Sequence, residues 1–138
     1  MNQYLLDTNV LSELRKMRPH GAVISWLNTM DEQRLFLSAV TLGELQVVIE
    51  RTRHQDSAKA NSLEHWVDRL PVSYQVLPMD IRSFREWGRI MEKKPPELLQ
   101  NAMIVATARV HRLIVATRNE RDFRQLEVQT FNPFESHS

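Results

Sequence analysis

The chain has 138 residues, 42% of them hydrophobic and 25% charged, which suits one globular domain with its own core. Its formal net charge is +1 and its 18 Lys and Arg residues form no dense block, so overall charge points to no polyanionic partner. The absence of Cys excludes disulfides and thiolate metal sites, and it agrees with a reducing, cytoplasmic setting.

No apolar run approaches membrane-spanning length, and the first residues lack the basic-then-apolar layout of a secretory signal, so no membrane association is expected. A single domain over residues 1–138 follows. In chain order, the apolar run Tyr4-Leu5-Leu6 reads as a short buried strand that delivers Asp7 into the turn-forming pair Thr8-Asn9. Further strand-like runs lie at 35–40, 75–79 and 113–117, with a fifth at 128–131. A long helical stretch from Leu42 to about Leu70 is interrupted by TRHQDSA (52–58), which predicts two antiparallel helices. Ile81, Phe84 and Met91, with Trp87 alongside, form an apolar stripe on a following helix. That helix ends at KKPPELL, where Pro96 suits the first turn of the next one. Strands alternating with helices imply an α/β fold around a mainly parallel sheet of four to five strands.

In such sheets, ligands bind beyond the carboxyl ends of the strands. Asp7 stands at the end of the first strand, Glu44 follows the second in the first turn of its helix, and Asp122 follows the fourth. Each has an ordinary structural alternative. TLGE (41–44) fits a capping box in which Glu44 bonds back to Thr41, Asp7 fits a helix cap, and Asp122 fits a cap or loop turn. Asn101 is different. On a helix over 96–110, Leu98, Ile104, Val105 and Ala108 fall within about 60° of it. An amide in that apolar arc needs a partner, either backbone or a polar pocket shared with the acids.

The segments YLLDTNVLSE, LSAVTLGELQ, NAMIVATARVHRLIVATRNERDF and FNPF resemble the PIN-domain ribonucleases. More closely, they are similar to the VapC-type toxins of bacterial toxin–antitoxin pairs and their FitB-like relatives. The resemblance runs from residue 4 to residue 134, with the motifs in family order. It implies a three-layer α/β/α sandwich and metal-dependent endoribonuclease activity. Asp7, Glu44 and Asp122 match the family's acids, and Thr117 and Asn119 line the same site. The remaining family acid falls on Asn101, where an aspartate is expected. Natural divergence and deliberate inactivation would both leave this residue there.

Clustered carboxylates with only oxygen donors favour Mg²⁺ or Mn²⁺. Asn101 would keep one carbonyl oxygen but remove a negative charge, weakening metal binding and disabling cleavage. The resemblance further implies a VapB-like antitoxin, a structured RNA substrate such as tRNA or ribosomal RNA, and a homodimer within a larger toxin–antitoxin assembly. DNA would be contacted only through the antitoxin, and Arg118 is a candidate contact for substrate phosphate. Two other readings compete with this one. In the first, the chain is a catalytically weak, nuclease-derived subunit that acts through an antitoxin complex on promoter DNA. In the second, the acids are only caps and turns.

Overall fold

The computed structural model describes residues 1–135. Five strands alternate with seven α-helices: β1 (Tyr4–Leu6), α1 (Thr8–Leu11), α2 (Gly21–Thr29), β2 (Leu35–Ser38), α3 (Ala39–Arg53), α4 (Ser57–Ser73), β3 (Gln75–Leu77), α5 (Ile81–Met91), α6 (Leu99–His111), β4 (Ile114–Ala116), α7 (Glu120–Arg124) and β5 (Thr130–Phe131). All strand pairs are parallel and the order is β3-β2-β1-β4-β5, so β1 occupies the centre.

Alternation along β1 separates two cores, because successive strand side chains point to opposite faces. Tyr4 and Leu6 join Val10, Leu11 and Val23 with Leu45 and Ile49 of α3 and Val67 and Leu70 of α4. Leu5 faces the other way, into Ile90 of α5, Ile104 and Val105 of α6, and Phe123 of α7. The sheet is therefore covered on both faces, as the expected three-layer α/β/α sandwich requires. Among the described residues no helix is long and apolar enough to cross a membrane.

The boundaries differ from the sequence expectation where local capping decides them. The second strand stops at Ser38, not at residue 40, because the Ser38 hydroxyl accepts from Val40 N at 3.1 Å and starts α3 there. The predicted break in the long helical stretch is present: α3 ends at Arg53, and Asp56 caps α4 by accepting from Lys59 N at 3.0 Å. The stripe on α5 is only partly its core face: Met91 and Trp87 pack on the core and the rest does not. Ile81 is 80% exposed and Phe84 48% exposed, whereas Ser83 and Ile90 are buried against the rest of the molecule. Trp87 is half-buried and donates from Nε1 to Leu99 O at 3.2 Å, tying α5 to the start of α6.

Leu5 is fully buried at the centre of the sheet. Leu5→Ala should therefore cost about 2–5 kcal/mol, the range for large-to-small core changes. Urea denaturation followed by circular dichroism measures this, and a loss under about 1 kcal/mol would contradict the central placement of β1.

Candidate active site

The site begins where β1 ends. Asp7 N donates to Ala116 O at 3.0 Å, so the parallel pairing of β1 with β4 extends one residue past the strand and holds the Asp7 backbone. One carboxylate oxygen, Oδ1, caps α1 by accepting from Thr8 N at 2.9 Å. The structural alternative for Asp7 is thus true, but it accounts for only half of the carboxylate. The other oxygen, Oδ2, accepts from Thr117 Oγ1 at 2.8 Å and from Asn9 Nδ2 at 3.2 Å.

Thr117 is fully buried and organises the loop after β4. Its Oγ1 also accepts from Asn119 N at 3.0 Å, and Asn9 Oδ1 accepts from Arg118 N at 3.2 Å. Two loops that are far apart in sequence are thereby bonded through Asp7, Asn9 and Thr117. Asn9 was not among the sequence candidates, since its role depends on contacts more than a hundred residues away.

Glu44 stands in the second turn of α3, not the first, because the helix starts at Ala39. The capping box is absent: Ser38 is the cap, and Thr41 is buried inside the helix with its Oγ1 unpartnered. The Glu44 side chain is half-buried and makes no hydrogen bond among the described residues. Burial pushes its pKa up, and the nearby charge of Asp7 pushes it further. Burial likewise raises the pKa of Asp7, against the opposing hydrogen bonds from Thr117, Thr8 and Asn9. Glu44 lines a cavity of about 330 Å³ with Thr8, Val47, Val48, Arg51 and Gln100. Arg51 could have been found from the sequence: seven residues after Glu44, it returns to the same face of a helix.

Asn101 occupies the first turn of α6, half-buried and adjacent to the cavity residue Gln100. Its side chain bonds to no backbone group among the described residues, so the alternative of a satisfied core amide is not what is found. Asp122 lies exposed in α7, where its backbone N donates to Asn119 O at 3.1 Å. Among the described residues, no three His, Asp or Glu side chains are grouped closely enough to form a metal cluster. The close acidic pair is Asp7 and Glu44. Arg118 places its guanidinium 3.8 Å from the centre of the Phe134 ring, and Phe134 N donates to Asn132 Oδ1 at 2.9 Å within the closing FNPF. Arg118 is thus already stacked, and Arg51 is the cation that lines the cavity beside Glu44.

The donors suit a hard divalent cation. Asp7 and Glu44 are like-charged and partly desolvated, and the buried Thr8 Oγ1 lacks a hydrogen-bond partner. Mg²⁺ is commonly held by one or two carboxylates with water completing its shell, so two acids are sufficient in kind.

An α/β/α sandwich with this acidic edge defines a nuclease-like class, and the chain belongs to the PIN-domain family, whose model matches residues 4–129. It is 32% identical to the VapC ribonuclease Y4jK of Sinorhizobium fredii, over 95% of this chain and 97% of that one. It is 31% identical to the toxin FitB of Neisseria gonorrhoeae, over 94% of this chain and 97% of the relative. A structure of FitAB bound to an IR36 DNA fragment superposes with a TM-score of 0.84 at 27% identity, covering 99% of each chain.

The acid pair makes stability depend on pH. Both pKa values are raised by folding, so the folded chain binds more protons than the unfolded one. Without metal, stability should be greatest below about pH 4, where free carboxylates titrate, as far as these two groups decide it. Their contribution is lost as pH rises through the raised values. Glu44→Gln removes one charge of the pair, and its thermal midpoint at pH 7 in chelator should rise by about 2–4 °C. A midpoint unchanged or lowered at pH 7 would contradict repulsion between Asp7 and Glu44.

Proposed function

We propose that this chain is the toxin of a type II toxin–antitoxin pair, an endoribonuclease that hydrolyses phosphodiester bonds of RNA with Mg²⁺ or Mn²⁺. The observation that carries the reading is the partly desolvated pair Asp7 and Glu44 at the carboxyl edge of the central strands, beside a cavity that also contains Arg51. Membership of the PIN-domain family and similarity to proteins named as a VapC ribonuclease and a FitB toxin support it. They favour the nuclease over the reading in which the chain acts only as a subunit on promoter DNA.

In this reading Asp7 and Glu44 would hold the cation, with Asn101 in the place of a third acid and Asp122 contributing from α7. When bound there, such a cation would supply positive charge to the phosphodiester and lower the pKa of the attacking water. Thr117 and Asn9 fix the rotamer of Asp7 by donating to Oδ2, leaving Oδ1 on the helix cap. Asn119 braces Thr117 through its backbone N–H. Arg51 offers a fork of donors to a phosphate oxygen. Asn101 cannot supply a charge or take up a proton, so the chain as it stands should bind metal weakly and cleave slowly.

The partner is a VapB-like antitoxin, through which DNA is contacted, and the toxin pairs with a second copy of itself. Exposed Val47 and Val48 border the cavity and offer an apolar rail for an antitoxin tail. An arginine on such a tail would be attracted to the acid pair and would block metal.

The decisive variant is Asn101→Asp, which restores a charge at nearly constant volume. Loss of an outer metal partner costs about 10–100-fold elsewhere, so Mn²⁺ affinity and cleavage of tRNA or ribosomal RNA should rise together by at least that much. Asp7→Ala in the same background should abolish the gain. Calorimetric Mn²⁺ titration and gel-based cleavage measure both quantities. Equal affinity and equal cleavage in the two forms would remove Asn101 from the metal site.

A further inference from the structure

Away from the acidic site, α5 and the end of α6 enclose a groove of about 410 Å³. Arg82, Arg85 and Arg89 enter it from α5, and Arg109 and Arg112 from α6 and its C-terminal cap. Glu86 is the carboxylate that lines the groove with these five arginines, and Glu127 lies 3.8 Å from Arg109. A chain of formal net charge +1 therefore concentrates a strong positive field here, while the rest of its surface sums to negative.

The arginines divide by what already engages them. Arg109 is a structural brace: it donates to Leu126 O and Glu127 O and pairs with Glu86 at 3.1 Å. Arg89 reaches the same Glu86 at 3.1 Å while staying 61% exposed in its side chain. Arg82 feels the charge of Asp80. Arg85 and Arg112 are exposed and make no ion pair among the described residues.

Arg112 also adopts φ 57° and ψ 48°, the left-handed helix cap at which glycine is the default. Capping alone would be served better by glycine. An arginine there projects a guanidinium from the helix end into the groove.

We propose that this groove binds the phosphate backbone of RNA and anchors the substrate at a distance from the acids. Val110 is the one apolar side chain lining it, so it lacks the pockets that a peptide's side chains would need. Closely spaced guanidinium forks instead match successive phosphates. Arg112 lies eleven residues beyond Asn101 along α6, about 16 Å at 1.5 Å per residue. That span equals roughly five nucleotides at 3.4 Å each, so one structured RNA can reach both places. The assignment to RNA rests on the nuclease reading above.

The test is binding of fluorescein-labelled tRNA to the full chain in EDTA, where cleavage cannot contribute, read by anisotropy over a salt series. Arg85→Ala/Arg89→Ala/Arg112→Ala should weaken binding about 100-fold at 0.1 M salt and reduce the log–log salt slope by about 2, at 0.7 per phosphate contact. The corresponding triple lysine variant should recover most of the affinity. In the Asn101→Asp background, the alanine variant should cleave tRNA poorly yet cleave a trinucleotide, too short to reach both places, as the parent does.

Unchanged affinity and slope in the alanine variant, with its circular dichroism spectrum intact, would overturn the proposal. So would tighter binding of a DNA duplex or poly-glutamate of equal charge. If tRNA binds through the groove and neither form ever cleaves, the nuclease reading fails while the groove stands. If cleavage is regained but tRNA binding ignores the arginines, the groove fails alone.

Discussion

The site depends on one bond, that between Thr117 Oγ1 and Asp7 Oδ2. It joins the end of β1 to the end of β4, adjacent strands in the middle of a sheet buried on both faces. The backbone pairing of Asp7 N with Ala116 O brings the two residues together, so the side-chain contact follows from sheet register. A slip by one residue would turn Leu5 toward the wrong core and carry Asp7 away from Thr117. Hydrophobic packing of the two layers thus determines where the acid stands.

That placement sets two opposed demands on the same carboxylate. Burial favours its neutral form, while donors from Thr117, Thr8 and Asn9 favour the ionised one. Glu44 adds a second negative charge, and Arg51 lines the cavity beside it. A bound cation would resolve the conflict, because it would compensate both acids at once. In the proposed reading Asn101 would keep the shape of a third acid while reducing the demand for positive charge.

Much of this was legible in the residues, and the misses have identifiable causes. β1 is legible to the residue because an apolar triplet ends abruptly at a capping acid. The second strand was read too long because Ala39 and Val40 are apolar, and only the Ser38 hydroxyl shows that the helix has begun. The same error made TLGE look like a cap and placed Glu44 one turn too early. On α5 Ile81 and Phe84 face solvent while Trp87 and Met91 pack on the core, since close packing also uses the small Ser83 with Ile90. Asn9 was invisible because nothing local requires it. The arginine groove draws on two helices, so no dense run in the sequence announces it.

The position of β1 has a further consequence for how the protein is made. Of the five described strands the first to leave the ribosome is the central one, and its acid is bonded to a residue 110 positions later. At about 5–20 residues per second, that partner emerges roughly 5–20 s after Asp7. Until then β1 has no β4 beside it, and the Asp7 carboxylate has no fixed rotamer. The nascent chain therefore cannot carry an assembled site. α3 and its cavity-lining face are complete well before this, so an interacting protein that recognises that face can meet the chain while it is still inert.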